Sequence, residues 1–257
     1  MTVRAFLLAA GLALAAAAAA EIPLAERRSG YEFMGRETRA MQDDEATNPA
    51  VLWLLDGEAL WKKKEGAAGK SCADCHGDAR ESMRGAAARH PAWDAKRGRA
   101  LNLEQRINAC RVERQQAPAL APEGRELLAL SALVARQSRG MPVQPESNDK
   151  ASPSRDAGRA LFFRRQGQLN LSCAQCHDDH WGRSLAGVTI PQAHPTGYPL
   201  YRLEWQGVGS LQRRIRNCMT GIRAEPYAFG AQEHVDLELY LMWRARGMRM
   251  EAPAVRP

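Results

Sequence analysis

Two copies of the pattern Cys-x-x-Cys-His constrain this chain more than any other feature. They occupy residues 72–76 and 173–177. Two thiols three positions apart on one helical turn reach the two vinyl groups of a porphyrin, and the adjacent imidazole falls beneath the iron as its proximal ligand. The pattern therefore predicts two covalently bound c-type haems. The four cysteines expected to form thioether bonds are Cys72, Cys75, Cys173 and Cys176, and the expected proximal ligands are His76 and His177.

Zinc binding and dithiol redox chemistry are weaker interpretations of these cysteines. A zinc ribbon places its two CxxC pairs about 15–20 residues apart, whereas these pairs begin at Cys72 and Cys173. A thioredoxin-like pair requires a βαβ setting, and no such alternation of strands and helices is apparent around either pair. Haem attachment is therefore the preferred interpretation.

The two patterns belong to a duplicated sequence. Residues 57–79 align without a gap with residues 158–180, and 103–111 match 211–219 further along. Matching blocks in the same order indicate a duplicated domain. Residues 141–158 are rich in Pro, Ser and charge, which is typical of a linker. We therefore expect an N-terminal haem domain at residues 21–145 and a C-terminal one, with the active site, at residues 146–257.

Helical patterns dominate both repeats. Amphipathic segments precede each Cys-x-x-Cys-His, and residues 125–140 place leucines at helical spacing before a terminating glycine, as do residues 233–247. The predicted fold class is mostly α, with two tandem cytochrome c-like domains related by internal duplication. Because small domains have short cores, a large internal cofactor would help to fill each one.

Residues 1–20 have the features of a secretory signal peptide. A basic start at Arg4 and an apolar run precede small residues at Ala18–Ala20, so cleavage is expected near Glu21 and the mature protein is expected in the periplasm. A membrane anchor is a weaker interpretation because the run is short and alanine-rich, and no other stretch is apolar enough to predict a span. Loss of Arg4 leaves 35 basic against 29 acidic residues. This balance suits an anionic substrate or acidic partner, and no nucleic-acid motif is present.

The two remaining cysteines, Cys110 and Cys218, occupy the same position in their repeats. Leu103 and Ile107 precede Cys110 by seven and three residues, so the three share one face of a helix. The second repeat has the same spacing before Cys218. Each sulfur is therefore expected to point inward, toward its haem.

Three interpretations of these cysteines remain open from the residues. They form a Cys110–Cys218 disulfide, they are small buried thiols, or each is the distal ligand of its haem iron. An arginine one turn before each sulfur, Arg106 or Arg214, and a ferric iron would both favour a thiolate. Met141 and Met248, in the matching sequences RGM, are rival sixth ligands because each lies near the end of its domain.

Taken together, two Cys-x-x-Cys-His domains, each followed by an Arg-x-x-x-Cys helix, resemble the SoxA family. These are dihaem cytochrome subunits of the Sox system, which oxidises thiosulfate. The resemblance covers nearly the whole chain after residue 20, and its most specific element is residues 214–218. Because the first motif is retained, the chain resembles the dihaem branch of the family.

The resemblance implies a function and a set of site residues. The activity would be that of an L-cysteine S-thiosulfotransferase, which conjugates thiosulfate oxidatively to a cysteine of a SoxYZ-type carrier, with a small SoxX-type monohaem cytochrome as partner. Cys218 would be the catalytic residue, found as a persulfide in this family, and Arg214 would bind the substrate. The implied axial ligand pairs are His76 with Cys110, and His177 with Cys218.

Two other classes of function are compatible with two haem domains. A dihaem cytochrome c peroxidase needs an open iron and an acid–base pair on its distal side, and no such pair is apparent near Cys218. A plain periplasmic electron carrier would use Met141 and Met248 as ligands.

Overall fold

The computed structural model describes residues 22–146 and 148–257, so the predicted signal peptide lies outside the described residues. The α-helices are α1 (Arg36–Asp43), α2 (Val51–Lys62), α3 (Cys72–His76), α4 (Ala79–Ser82), α5 (Leu103–Cys110), α6 (Arg125–Arg136), α7 (Ser152–Phe163), α8 (Cys173–His177), α9 (Leu211–Gly221) and α10 (Gln232–Arg244). The strands are β1 (Ala92–Asp94), β2 (Arg99–Leu101), β3 (Ser184–Leu185), β4 (Val188–Thr189), β5 (Leu200–Arg202), β6 (Gly207–Gly209) and β7 (Ala254–Arg256). Long helices and short strands confirm the mostly α prediction. Among the helices described, none combines the length and apolar character that a bilayer crossing requires.

Each repeat is built on one close helix crossing. α2 packs against α6 in the first repeat, and α7 packs against α10 in the second. A glycine lies at each crossing: a Cβ on Gly57 would lie 2.5 Å from the carbonyl oxygen of Ala129, and one on Gly158 would lie 1.9 Å from that of Asp236. The absence of a side chain therefore lets the two backbones touch, which explains why a glycine opens both aligned blocks.

Both Cys-x-x-Cys-His segments form a single helical turn with the same start. The Ser71 side chain accepts a hydrogen bond from the backbone N–H of Asp74, and the Asp74 carboxylate accepts one from the backbone N–H of Ser71. Ser172 and Gln175 form the equivalent capping box before α8. This reciprocal bonding satisfies N–H groups that a short helix leaves open, and it fixes the two cysteines on one turn.

A small antiparallel hairpin precedes each Cys-containing helix in the same register. β1 pairs with β2 so that Asp94 lies opposite Arg99, and β5 pairs with β6 so that Arg202 lies opposite Gly207. In the second repeat β7 adds a parallel strand to β5. Each hairpin leads directly into the N-cap of α5 or α9, so it sets the position of the helix that carries Cys110 or Cys218.

The two RGM sequences join the repeats to each other. The backbone N–H of Gly140 donates to Met250 O at 2.8 Å, that of Met250 donates to Met141 O at 2.9 Å, and that of Val143 donates to Met248 O at 2.8 Å. A core that includes Val143 and Met250 packs around this pairing, with Met248 against it. The match between the two sequences thus reflects a shared structural contact.

Two connecting segments, the one before α7 and the one before α2, are more ordered than connecting segments usually are. α7 begins at Ser152, inside the stretch predicted as a linker, and it has a proline in its first turn, where a missing N–H is tolerated. The segment before α2 packs against the second repeat: the N–H of Arg28 donates to Gln192 Oε1 at 2.7 Å, and that of Val255 donates to Gln42 Oε1 at 3.1 Å.

Candidate functional site

The C-terminal site forms where α9 packs against α8. Ile215 and Met219 of α9 share a core cluster with Ala174, and Cys173 packs against that cluster. Cys218 lies on the same part of α9, beside the cysteines of α8. Burial raises the pKa of Cys173 to about 12, and a charge on Cys218 would raise that pKa further. The same two causes raise the pKa of Cys176.

The side chains of Cys218 and His177 lie close together. The side chain keeps a surface that solvent can reach, yet the protein packed around it raises the pKa of the thiol. The nearby imidazole of His177 and the positive charge of Arg214 outweigh that effect, so the pKa of Cys218 lies below its ordinary value. A smaller lowering of this pKa comes from the charge of Arg202. The structure therefore places the two side chains expected as axial ligands of one iron close to each other.

The imidazole of His177 is held by a backbone carbonyl. Nδ1 lies 2.6 Å from Pro191 O, and since a carbonyl oxygen only accepts, Nδ1 carries the proton. The other ring nitrogen, Nε2, then keeps its lone pair for a metal ion, which is the usual arrangement of a metal-binding histidine. Pro191 was missed by the sequence analysis because a backbone carbonyl has no residue signature.

The donor set fits a porphyrin better than a bare metal ion. All six cysteines are within the described residues and none forms a disulfide, so the Cys110–Cys218 disulfide interpretation is not supported. Across residues 22–146 and 148–257, no group of three or more His, Cys, Asp or Glu side chains is arranged to hold a metal ion. Paired thiols next to an oriented imidazole match covalent haem attachment.

Three arginines of α9 have different surroundings. Arg213 stacks on the ring of Trp205, with 4.4 Å from its guanidinium carbon to the ring centroid. Arg216 lies over Phe229 at 4.6 Å and donates to the carbonyl of Tyr227. Arg214 forms no ion pair with a carboxylate in the part of the chain that the structure describes, and its charge acts on Cys218. It is therefore the arginine of α9 that is available to an anion.

In the N-terminal repeat the Cys-containing helix also packs against the Cys-x-x-Cys-His segment, with different electrostatics. Leu103 and Ile107 of α5 pack with Cys72 around a shared core, as predicted from their common face. Burial raises the pKa of Cys110, and the charge of Arg106 lowers it only in part. His76 is exposed, with its ring centroid 5.8 Å from that of Trp61.

The rival methionine ligands belong to the junction between the two repeats. Met141 and Met248 belong to the backbone pairing between the repeats, and Met248 packs against the core at that junction. Their position explains their repetition in the sequence without a role at a haem iron.

A family model described as SoxA/TsdA, cytochrome c domain, matches residues 56–143 and 157–250. The chain belongs to this family. Each match contains one Cys-x-x-Cys-His helix and one Cys-containing helix, which confirms the predicted tandem cytochrome c-like fold. Because cytochrome c domains carry covalently bound haem, the chain binds c-type haem.

Curated relatives and a solved structure extend the family match over nearly the whole chain. The L-cysteine S-thiosulfotransferase subunit SoxA of Pseudaminobacter salicylatoxidans is 39% identical over 91% of this chain and 82% of its own length. The protein of the same name from Rhodovulum sulfidophilum is 37% identical over 90% and 80%. The crystal structure of SoxXA from P. pantotrophus matches with a TM-score of 0.86 and 32% identity, covering 90% of this chain and 87% of that chain.

Proposed function

We propose that this chain is the SoxA-type subunit of an L-cysteine S-thiosulfotransferase, which conjugates thiosulfate oxidatively to a cysteine of a sulfur-carrier protein. The relatives of the SoxA/TsdA family bear that name. The observation that carries the proposal is that the Cys218 thiol lies beside His177 and near Arg214, which forms no ion pair with a carboxylate among the described residues. Thiosulfate is a dianion, so its binding requires a cation. Its oxidative conjugation also requires a second sulfur with which the outer sulfur can form an S–S bond.

The proposed cofactor content is two c-type haems, one in each half. The N-terminal domain, residues 21–145, would attach its haem through Cys72 and Cys75, with His76 and Cys110 as axial ligands. The C-terminal domain, residues 146–257, would attach its haem through Cys173 and Cys176, with His177 and Cys218 as axial ligands. When bound, a haem accepts one electron at a time, so the two electrons of the oxidation would leave the site in two separate steps.

The overall reaction balances as S₂O₃²⁻ plus a carrier thiol giving the carrier S-thiosulfonate, one proton and two electrons. Arg214 binds sulfonate oxygens of thiosulfate, because a guanidinium presents two parallel N–H groups to such a pair. This orients the outer sulfur toward Cys218. A disulfide-type bond between that sulfur and Cys218 forms with loss of two electrons.

The second half of the reaction is a thiol exchange. The carrier thiolate attacks the outer sulfur, a new S–S bond to the carrier forms, and Cys218 leaves as a thiolate. A leaving thiolate of low pKa departs faster, and the contacts that lower the pKa of Cys218 act in this direction. Cys218 thus returns to its starting state, ready for another thiosulfate.

The proposed partners and location follow from the same assignment. A small monohaem cytochrome of the SoxX type would take the electrons onward, and the carrier would be of the SoxYZ type. The match to a SoxXA structure supports the first of these. Export to the periplasm through residues 1–20 is proposed from the sequence. The peroxidase and electron-carrier alternatives lose support, since a thiol lies beside His177 and the RGM methionines lie between the repeats.

Two variants of the holoprotein test this function. Arg214→Ala should reduce thiosulfate-dependent conjugation to a carrier thiol by at least about tenfold, because a charge-assisted bond to the substrate is lost. The neighbouring Arg213→Ala should retain turnover, since Arg213 is stacked on Trp205. Full activity of Arg214→Ala would remove the anion-binding role from the proposal.

Mass spectrometry of the Cys218 peptide tests the role of the sulfur. After oxidation with thiosulfate in the absence of carrier, the peptide should gain a thiosulfate-derived adduct that a carrier thiol removes. The Cys218→Ser variant should keep both haems attached and form no adduct. An unmodified peptide in a wild-type protein that is turning over would show that the chemistry takes place elsewhere.

A further inference from the structure

The duplication provides an internal comparison between the two sulfur sites. Residues 90–110 and 198–218 align without a gap, and each segment contains a hairpin, an N-cap and a Cys-terminated Arg-x-x-x-Cys sequence. The hairpin register is the same in both, since Asp94 and Arg202 end the first strand opposite Arg99 and Gly207. The structure therefore places an aspartate in one site where the other has an arginine.

In the first repeat this aspartate neutralises the arginine of the Cys-containing helix. Nη2 of Arg106 lies 2.9 Å from Oδ2 of Asp94, whose side chain is only 4% exposed. Arg97 adds a second ion pair to the same carboxylate at 3.2 Å. An exogenous anion approaching Cys110 would have to displace a buried carboxylate from Arg106, so the site is poorly suited to a dianion.

In the second repeat the same place is occupied by a cation. Arg202 is 8% exposed, and its Nε donates to Oε2 of Glu204 at 2.8 Å. Its guanidinium also lies 5.6 Å from the ring centroid of Trp205. Among the described residues, its two Nη groups form no hydrogen bond, so one edge is anchored and the other is available.

The guanidinium of Arg202 and that of Arg214 act on the same groups. In the first repeat the equivalent side chains, Asp94 and Arg106, are in direct contact, so the alignment places Arg202 beside Arg214. Burial raises the pKa of the Tyr198 phenol to about 12, and the charges of these two arginines oppose that rise. The second site thus holds two cations around its sulfur, where the first repeat holds a closed ion pair.

We propose that Arg202 is a second substrate-binding guanidinium, which together with Arg214 binds the sulfonate end of thiosulfate, and that Asp94 keeps the N-terminal site from binding this dianion. The inference rests on the proposed function and adds a residue that determines which of the two sites takes substrate. Three sulfonate oxygens exceed what one guanidinium binds in bidentate fashion, so a second one adds both charge and orientation. Anchoring by Glu204 and Trp205 reduces the side-chain freedom that Arg202 would lose on binding.

The test compares Arg202 variants in the haem-loaded protein with its partner cytochrome. Arg202→Gln should raise KM for thiosulfate by about tenfold, with a smaller change in kcat. Arg202→Asp, which copies the first repeat, should raise KM further, and Arg202→Lys should retain part of the affinity because it keeps the charge but loses the fork geometry. The matched control Arg213→Gln removes a cation of α9 that is stacked on Trp205, and it should leave KM unchanged. Asp94→Asn, which releases Arg106, should give the N-terminal site measurable binding of the dianion. Haem content checks that each variant has matured.

Calorimetric titration of the oxidised holoprotein with sulfate, a dianion that cannot react, gives a readout apart from turnover. Wild type should bind sulfate more tightly than Arg202→Gln by a similar factor. Equal sulfate binding and equal KM in wild type and Arg202→Asp would overturn the role of Arg202. A different result would separate the two proposals. If wild type binds sulfate, Arg202→Gln does not, and wild type nevertheless fails to conjugate thiosulfate, then the anion site is supported and the proposed function is wrong.

Discussion

Glu238 of α10 is buried where the two repeats meet, and it shares its surroundings with a second carboxyl, Glu104 of α5. Its Oε1 accepts hydrogen bonds from Asn102 at 3.1 Å and from Gln212 at 2.6 Å. Burial, together with the charge of Glu104, raises the pKa of Glu238 to about 8. Burial raises the pKa of Glu104 to about 7, with a further contribution from Glu123.

Because the pKa values of Glu238 and Glu104 are raised in the folded chain, the free energy of unfolding falls as pH increases. The folded chain keeps protons on the pair that the unfolded chain releases above about pH 4.5, so stability is lost as pH rises from there through the folded pKa values. One pKa unit corresponds to about 1.4 kcal/mol. A rise from 4.5 to about 8 therefore sets an upper limit of about 5 kcal/mol for Glu238 at alkaline pH.

The Glu238→Gln variant should lose much less folding stability at alkaline pH than wild type does. A glutamine oxygen can still accept from Asn102 and Gln212, and its NH₂ can donate to Glu104. We expect the variant to match wild type near pH 5 and to be more stable by about 2–5 kcal/mol near pH 9. Urea unfolding of the holoprotein across this range, followed by circular dichroism, measures the difference.

Glu233→Gln is the matched control, because Glu233 is an exposed residue in the first turn of the same helix. It should not change the slope of stability against pH. Stability curves of wild type and Glu238→Gln that run parallel from pH 5 to pH 9 would refute the shared buried protonation.

Two further predictions concern how the fold positions the site. Gly158→Ala should destabilise the second repeat by about 1–3 kcal/mol, because its Cβ would lie 1.9 Å from Asp236 O; Gly35→Ala, at an open position, serves as the control in thermal unfolding, and equal melting temperatures would contradict the close crossing. Ser210→Ala should lose about 1 kcal/mol, since the Ser210 hydroxyl caps α9 by accepting from the N–H of Arg213 at 3.1 Å; an unchanged denaturation midpoint would show that the cap is dispensable.

Much of the architecture could be predicted because it depends on local pattern. The periodic apolar residues of α6 and α10 determined those helices, and the spacing of Leu103, Ile107 and Cys110 correctly predicted which face of α5 packs on Cys72. The RGM repeat was detected but not explained. Its cause is a long-range backbone pairing, and hydrogen bonds between main-chain groups distant in the chain leave little trace in side-chain identity.

The amino-acid sequence by itself determined the haem attachment motifs, the duplication and the candidate sulfur, because these depend on residue identity and short spacing. Only the tertiary structure decided which arginines are available around Cys218, since availability depends on partners that the fold brings from other segments. Arg106 and Arg214 are equivalent in sequence, yet Asp94 closes one ion pair at 2.9 Å and Arg202 stands in its place beside the other. Electrostatic interactions act through distance in space, so the difference between the two sites emerges only when the hairpin and the helix are packed together.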